Sequence, residues 1–155
     1  MKTNEHNVVG NQILDDSFNL QLEANMQNLP LFLQEVSSFA EKMGFNKKSI
    51  MHIELVLEEI IVNIISYGYK NVKNGKIIVR CCRKEIKKIE ILIEDFGVPF
   101  NLIKEKDPKI DLPIEEREAG GLGIFLVKQL MEDIKYERRD KKNILTLIKN
   151  IESGE

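Results

Sequence analysis

Residues 53–67 restrict what this chain can fold into more than any other stretch. Ile53, Leu57, Ile60, Ile61, Ile64 and Ile65 recur at helical spacing and make an apolar surface wider than the stripe of an ordinary surface helix. Such a helix needs a sheet to lie against. Two polar residues, Glu59 and Asn63, interrupt the pattern. Four positions apart, they share one helix face. That face is either a solvent-exposed seam or a carboxylate and an amide directed into a polar cleft.

The rest of the chain supplies the sheet. Phe18, Leu20 and Leu22 alternate with polar residues over 17–22, the pattern of a half-buried strand. A helix over 29–43 follows, with Pro30 in its first turn, an apolar stripe through Phe32, Val36, Phe39 and Met43, and Gly44 as its C-cap. The wide helix starts near Asn46 or Ser49 and runs to about Tyr67. Residues 76–83 and 88–93 read as strands. So do 134–139 and 144–149, with Asp140-Lys141-Lys142-Asn143 as the turn between them. This order predicts an α/β two-layer sandwich, with a mixed, largely antiparallel sheet covered on one face by helices. Residues 1–12 are polar and without a clear period, which predicts a flexible arm; Val8 and Val9 could add a short edge strand there or touch a second subunit. Residues 13–150 are expected to form one domain, and 151–155 a tail.

Composition narrows the function. Lys and Arg number 23 against 25 Asp and Glu, a formal net charge of -2. That balance gives no support to nucleic-acid binding, which usually needs a basic face. No apolar run reaches the length of a membrane span, and the polar start lacks the core of a signal peptide. Cys81 and Cys82 are adjacent and His6 and His52 are the only histidines, so no structural metal spacing is present. A soluble, reduced, cytoplasmic setting is expected.

Two further segments carry chemistry. The strand over 88–93 leads into Glu94-Asp95-Phe96-Gly97. An acidic residue at a strand exit, followed by glycine, stands where sheet ligands often bind; Asp also favours an ordinary Asx turn there. Further on, Gly120-Gly121-Leu122-Gly123 precedes the helix-periodic Phe125, Leu126 and Leu130. Glycines permit close backbone approach, and a helix N-terminus offers unpaired N–H groups to a phosphate. The same glycines would also serve a tight turn. Before them, residues 103–118 are dominated by charge and broken by Pro108 and Pro113. This is either a solvated connection or, given its length, a lid or partner-contact segment.

Glu59 with Asn63 on a helix, Asp95 with Gly97 after a strand, and Gly120-Gly121-Leu122-Gly123 before a helix together resemble the nucleotide-binding motifs of the histidine-kinase-like (GHKL) ATPase superfamily. Within it the chain is similar to the small bacterial anti-sigma factor serine/threonine kinases, over nearly its whole length. The resemblance implies ATP/ADP and Mg2+ as ligands. It assigns Glu59 to orienting or deprotonating the attacking hydroxyl, or water in an ATPase, and Asn63 to magnesium. It gives Asp95 to the adenine amino group, and Gly97 to close passage of the backbone along the base. Gly121 and Gly123, with Leu122 between them, would wrap the phosphates, and Gly120 would serve the lid hinge. Arg117 is the candidate phosphate clamp, with Lys104 and Lys106 also in the charged tract; a surface ion pair is the other reading of Arg117. Thr146 in the last strand would touch the base or a bound water, or simply pack in the sheet. The chain departs from the family at Tyr67, where related kinases often have His. The Lys and Ser/Thr of a P-loop are absent.

By the same resemblance the expected activity is ATP-dependent phosphorylation of a small anti-sigma antagonist, with a sigma factor as the competing partner. A homodimer is implied, and neither direct nucleic-acid contact nor a membrane. Two other readings stand beside it: a nucleotide-binding module that sequesters a protein with little or no phosphoryl transfer, and an ATPase acting on water.

Overall fold

The computed structural model describes residues 2–9, 12–101 and 121–152. In chain order the elements are β1 (Lys2–Val9), β2 (Gln12–Glu23), α1 (Leu29–Met43), α2 (Lys47–Asn63), β3 (Lys76–Glu85), β4 (Lys88–Asp95), α3 (Gly121–Leu130), β5 (Asp133–Arg139) and β6 (Lys142–Asn150). The strands form one six-stranded sheet in the order β1-β2-β3-β4-β6-β5. Among the described residues every pairing is antiparallel, where a mixed, largely antiparallel sheet was expected.

Register explains the layering. Phe18, Cys81, Ile91, Leu147 and Ile134 lie in one row across the sheet, and Leu20, Val79, Ile93, Leu145 and Tyr136 in another. Because side chains alternate between faces, these rows share the face that the helices cover. Phe32, Val36, Ile53, Leu57 and Ile61 from α1 and α2 complete the core there. Phe18 meets Phe39 edge to face, with ring centroids 5.5 Å apart. The wide apolar surface of α2 is thus used as expected, against a sheet. Cys81 lies in this core, where burial pushes its thiol well above the usual range.

The helix ends follow local chemistry. Asn46 caps α2, its side chain accepting from the Ser49 N–H at 2.8 Å, and Gly44 (φ 104) ends α1. Beyond Asn63 the α-helix widens into one turn over Ile64–Gly68, closed by the Tyr69 N–H on the Ile64 carbonyl at 3.0 Å. This five-residue spacing swings the chain away from the helix axis towards the end of β4. At the far end of α3, buried Lys149 from β6 donates to the Leu130 carbonyl at 2.9 Å. A cation is favourable at that negative helix terminus, and it pins α3 to the sheet.

Three expectations about the elements need correction. Residues 2–9, expected as a flexible arm with Val8 and Val9 as a possible short edge strand, form an edge strand paired with β2 along their whole length; that pairing is made by backbone groups, which leave no period in the side chains. The first expected strand, over 17–22, extends to Gln12–Glu23. The β5–β6 turn is two residues long, with Asp140 and Lys141 both at positive φ (53° and 64°) and Arg139 paired with Lys142. Asn143 is therefore a strand residue.

Candidate functional site

The helix-facing row at one end of the sheet differs in kind from the others. Ile77, Asp95, Asn143 and Arg138 stand side by side across β3, β4, β6 and β5. Apolar rows build the core, and this polar row opens into a cleft between the sheet and the end of α2. The cleft holds about 570 Å³ of unoccupied space, its mouth included. Ile60 and Ile64 from α2, with Ile93 and Leu145 from the sheet, make its walls apolar; Asn63 and Asp95 are its polar points from the expected set.

Asp95 is only 4% exposed. Its Oδ1 accepts from the Gly97 N–H at 2.9 Å and from Asn143 Nδ2 at 3.0 Å. Burial raises its pKa above the ordinary 3.8, and the Asn143 and Gly97 hydrogen bonds and the charge of Arg138 oppose the rise. Burial thus works against the ionised carboxylate held here, a pattern that marks Asp95 as a candidate functional residue. Asx-turn geometry and cleft position, the two readings open from sequence, coexist in this one residue.

The loop after Asp95 is locked to the end of α2. Tyr69 Oη accepts from the Phe96 N–H at 2.6 Å and donates to the Lys76 carbonyl at 2.7 Å. The Val98 N–H reaches the Gly68 carbonyl at 3.2 Å. A Cβ on Gly97 would come within 2.5 Å of that same carbonyl oxygen, so only glycine lets the two backbones meet. Arg138 Nη1 holds the Gly97 carbonyl at 2.8 Å.

Glu59 and Asn63 are joined: Asn63 Nδ2 donates to Glu59 Oε1 at 3.1 Å. With its amide nitrogen engaged, Asn63 keeps its Oδ1 as an oxygen donor for a hard cation. Gly123, in the first turn of α3, lies flush against the Glu59 carboxylate, where a Cβ would overlap the carboxylate atoms. Glu59 is thus seated at the N-terminal end of α3, where negative charge is favoured. We expect Gly123→Ala to fold, since alanine favours the helix and a flexible glutamate can swing aside. Displacing that carboxylate should lower any phosphoryl transfer by about a hundredfold, read as initial rates beside a melting curve.

The structure brings Asp95 and Asn63 to the cleft, packs Gly97 against the Gly68 backbone beside it, and packs Gly123 on Glu59 next to Asn63. Gly121 opens α3 and Leu122 follows it. Gly120, Arg117, Lys104 and Lys106 lie outside the described residues. Tyr67 lines the cleft mouth and is 54% exposed. Thr146 is not brought there. It pairs with Leu92 and Lys135, one residue out of phase with Leu145 and Leu147, and so faces the other side of the sheet. The residue that sequence reasoning missed is Asn143, directly beside Asp95. Its signal was an amide within a predicted turn, which gives no hint of a partner 48 positions away.

Comparison with known proteins agrees with this fold. The family model described as histidine kinase-like ATPase domain matches residues 22–149, and the chain belongs to that family. Among curated proteins it is 29% identical over 126 residues to the serine-protein kinase RsbW of Listeria monocytogenes serotype 4a, covering 79% of this chain and 80% of the relative. To the serine-protein kinase RsbW of Oceanobacillus iheyensis it is 30% identical over 128 residues, covering 80% of each. Among solved structures, the RsbU and RsbW domains of a Mycobacterium tuberculosis protein superpose with a TM-score of 0.60 at 14% identity, over 86% of this chain and 32% of that one. The histidine kinase domain of the Erythrobacter litoralis EL346 blue-light activated kinase gives 0.53 at 14% identity, over 79% of this chain and 61% of that one.

Proposed function

We propose that the cleft binds ATP with Mg2+ and that the protein is a serine/threonine kinase acting on a small anti-sigma antagonist. A sigma factor is the competing partner, and the working form is a cytoplasmic homodimer. The observation that carries the reading is Asp95: a carboxylate held at the floor of an apolar cleft, with a carboxylate–amide pair on the adjoining helix. An apolar slot with one buried acceptor suits adenine, whose amino group donates where guanine presents an oxygen. The family match and the similarity to RsbW serine-protein kinases support the kinase assignment.

In this reading Asp95 accepts from the adenine amino group, and Ile64, Ile93 and Leu145 enclose the base. Asn63 Oδ1 would help hold magnesium, which when bound would supply charge neutralisation at the phosphate oxygens. Glu59 orients the acceptor hydroxyl and takes its proton as the hydroxyl oxygen bonds to the terminal phosphorus. The bond from that phosphorus to the bridging oxygen breaks, and ADP leaves with the electron pair. The first turn of α3, which lies beside Glu59, would present backbone N–H groups to phosphate.

The test is to capture small antagonist proteins and sigma factors from the source organism on the purified protein, with magnesium and γ-labelled ATP. Label on a serine or threonine of a captured antagonist is the expected result. Label released only as inorganic phosphate would mark an ATPase acting on water. A captured partner that never acquires label would mark a sequestering module.

A further inference from the structure

We infer that Asn143 is the positioning residue of the base-recognition acid: it fixes the Asp95 carboxylate and ties the 98–100 loop to it, and gives the ligand no hydrogen bond of its own. The inference rests on the reading of Asp95 given above. A side-chain amide has two N–H donors and two acceptor positions, and all four are used here. Nδ2 donates to Asp95 Oδ1 at 3.0 Å and to the Val98 carbonyl at 2.8 Å. Oδ1 accepts from the Tyr136 hydroxyl at 2.5 Å and from the Phe100 N–H at 3.4 Å. The residue is 5% exposed. A saturated, buried amide has nothing left to offer a base, so whatever it does for binding it does through its partners.

Those partners are functional surfaces. Asp95, Val98, Phe100 and Tyr136 all line the cleft, as Asn143 itself does. One amide therefore sets the orientation of the acid and the position of the loop that forms part of the wall. Both hydrogen bonds to Asp95 fall on Oδ1, which leaves the choice of direction for the second oxygen to the geometry that Asn143 imposes.

The electrostatic consequence is specific. From β5, Arg138 favours the Asp95 carboxylate; Tyr136 on the same strand and Tyr69 after α2 are phenols, and α2 presents uncharged Asn63 to the cleft. The Asn143 hydrogen bond favours ionised Asp95 against its burial. Removing the donor makes ionisation harder, and the neutral acid presents a proton where the base needs an acceptor.

The experiment is titration of MgATP into the whole protein between pH 5.5 and 8.5, with a melting curve at each pH. In Asn143→Ala the acidic limb of the affinity profile should move up by about one pH unit. The affinity loss should be greatest at the acidic end of the range, approaching at most about tenfold, and shrink towards pH 8.5. Tyr136→Phe loosens the same amide but leaves both its N–H bonds, and should keep the wild-type limb. If Asn143→Ala melts below the assay temperature, Asn143→Asp carries the test. It keeps the acceptor for Phe100 and Tyr136 and sets two carboxyls together, so affinity should rise as pH falls and a shared proton restores the bond. An equal fractional loss at every pH in Asn143→Ala, or a wild-type profile in Asn143→Asp, would overturn the inference while leaving ATP binding intact. A wild-type protein that binds no ATP at any pH would instead overturn the functional reading beneath it.

Discussion

Glu59→Gln is expected to leave MgATP affinity within a few-fold of the original and to lower phosphoryl transfer by about a hundredfold to ten-thousandfold, the usual contribution of a general base. The substitution is well matched to the site. Glutamine keeps an Oε1 to accept from Asn63 Nδ2, as Glu59 does at 3.1 Å, so the Asn63 amide, the proposed magnesium ligand, stays oriented. It also keeps the shape that rests against Gly123. What it loses is the basicity that receives the hydroxyl proton. Single-turnover transfer to the antagonist, measured beside nucleotide affinity, separates the two effects. Equal transfer rates would remove Glu59 from the chemistry.

Asp95→Asn should do the reverse, with affinity for ATP falling by about a hundredfold or more and the fold unharmed. Asparagine still has an oxygen for the Gly97 N–H and Asn143 Nδ2, the two bonds Asp95 Oδ1 accepts. Its amide nitrogen then stands where the second carboxylate oxygen was, donor against the donor of adenine. The stability side follows from linkage. The folded pKa of Asp95 is raised above 3.8, chiefly by burial, so the folded state holds this proton more tightly than the unfolded chain. Stability is accordingly lost as pH rises from 3.8 through the raised folded value, and the ionised group is a net cost at neutral pH. The variant carries no such cost. Its melting temperature at pH 7 should equal or exceed that of the original, and the difference attributable to this charge should vanish as pH falls below 3.8. A variant that loses ATP binding together with several degrees of melting temperature would point to structural damage instead.

Much of this architecture could be read from local pattern, and the failures share a cause. The span of α2 and its need for a sheet follow from the spacing of Ile53, Leu57, Ile60, Ile61 and Ile64. Asp95 and Gly97 stand out because an acid and a glycine end an apolar strand. Asn143 was hidden because the β5–β6 turn uses Asp140 and Lys141 at positive φ, without the glycine that marks such turns. The turn therefore looked longer than it is and absorbed a strand residue. Once the strand begins at Lys142, alternation alone puts Asn143 beside Asp95 and turns Thr146 to the opposite face. Pairing across 48 residues is a tertiary fact that no local window contains. The extent of β1 beyond Val8 and Val9 was hidden for a different reason, since its backbone makes the bonds whatever its polar side chains are.

The central claim is that this cleft is an ATP site built around Asp95. Calorimetric titration of ATP with magnesium into the purified protein tests it most directly, repeated with GTP and with Asp95→Asn. Saturable binding of ATP, much weaker binding of GTP, and a comparable loss of ATP binding in the variant are the predicted results. No measurable ATP binding by the original protein, or equal ATP affinity in the variant, would contradict the account.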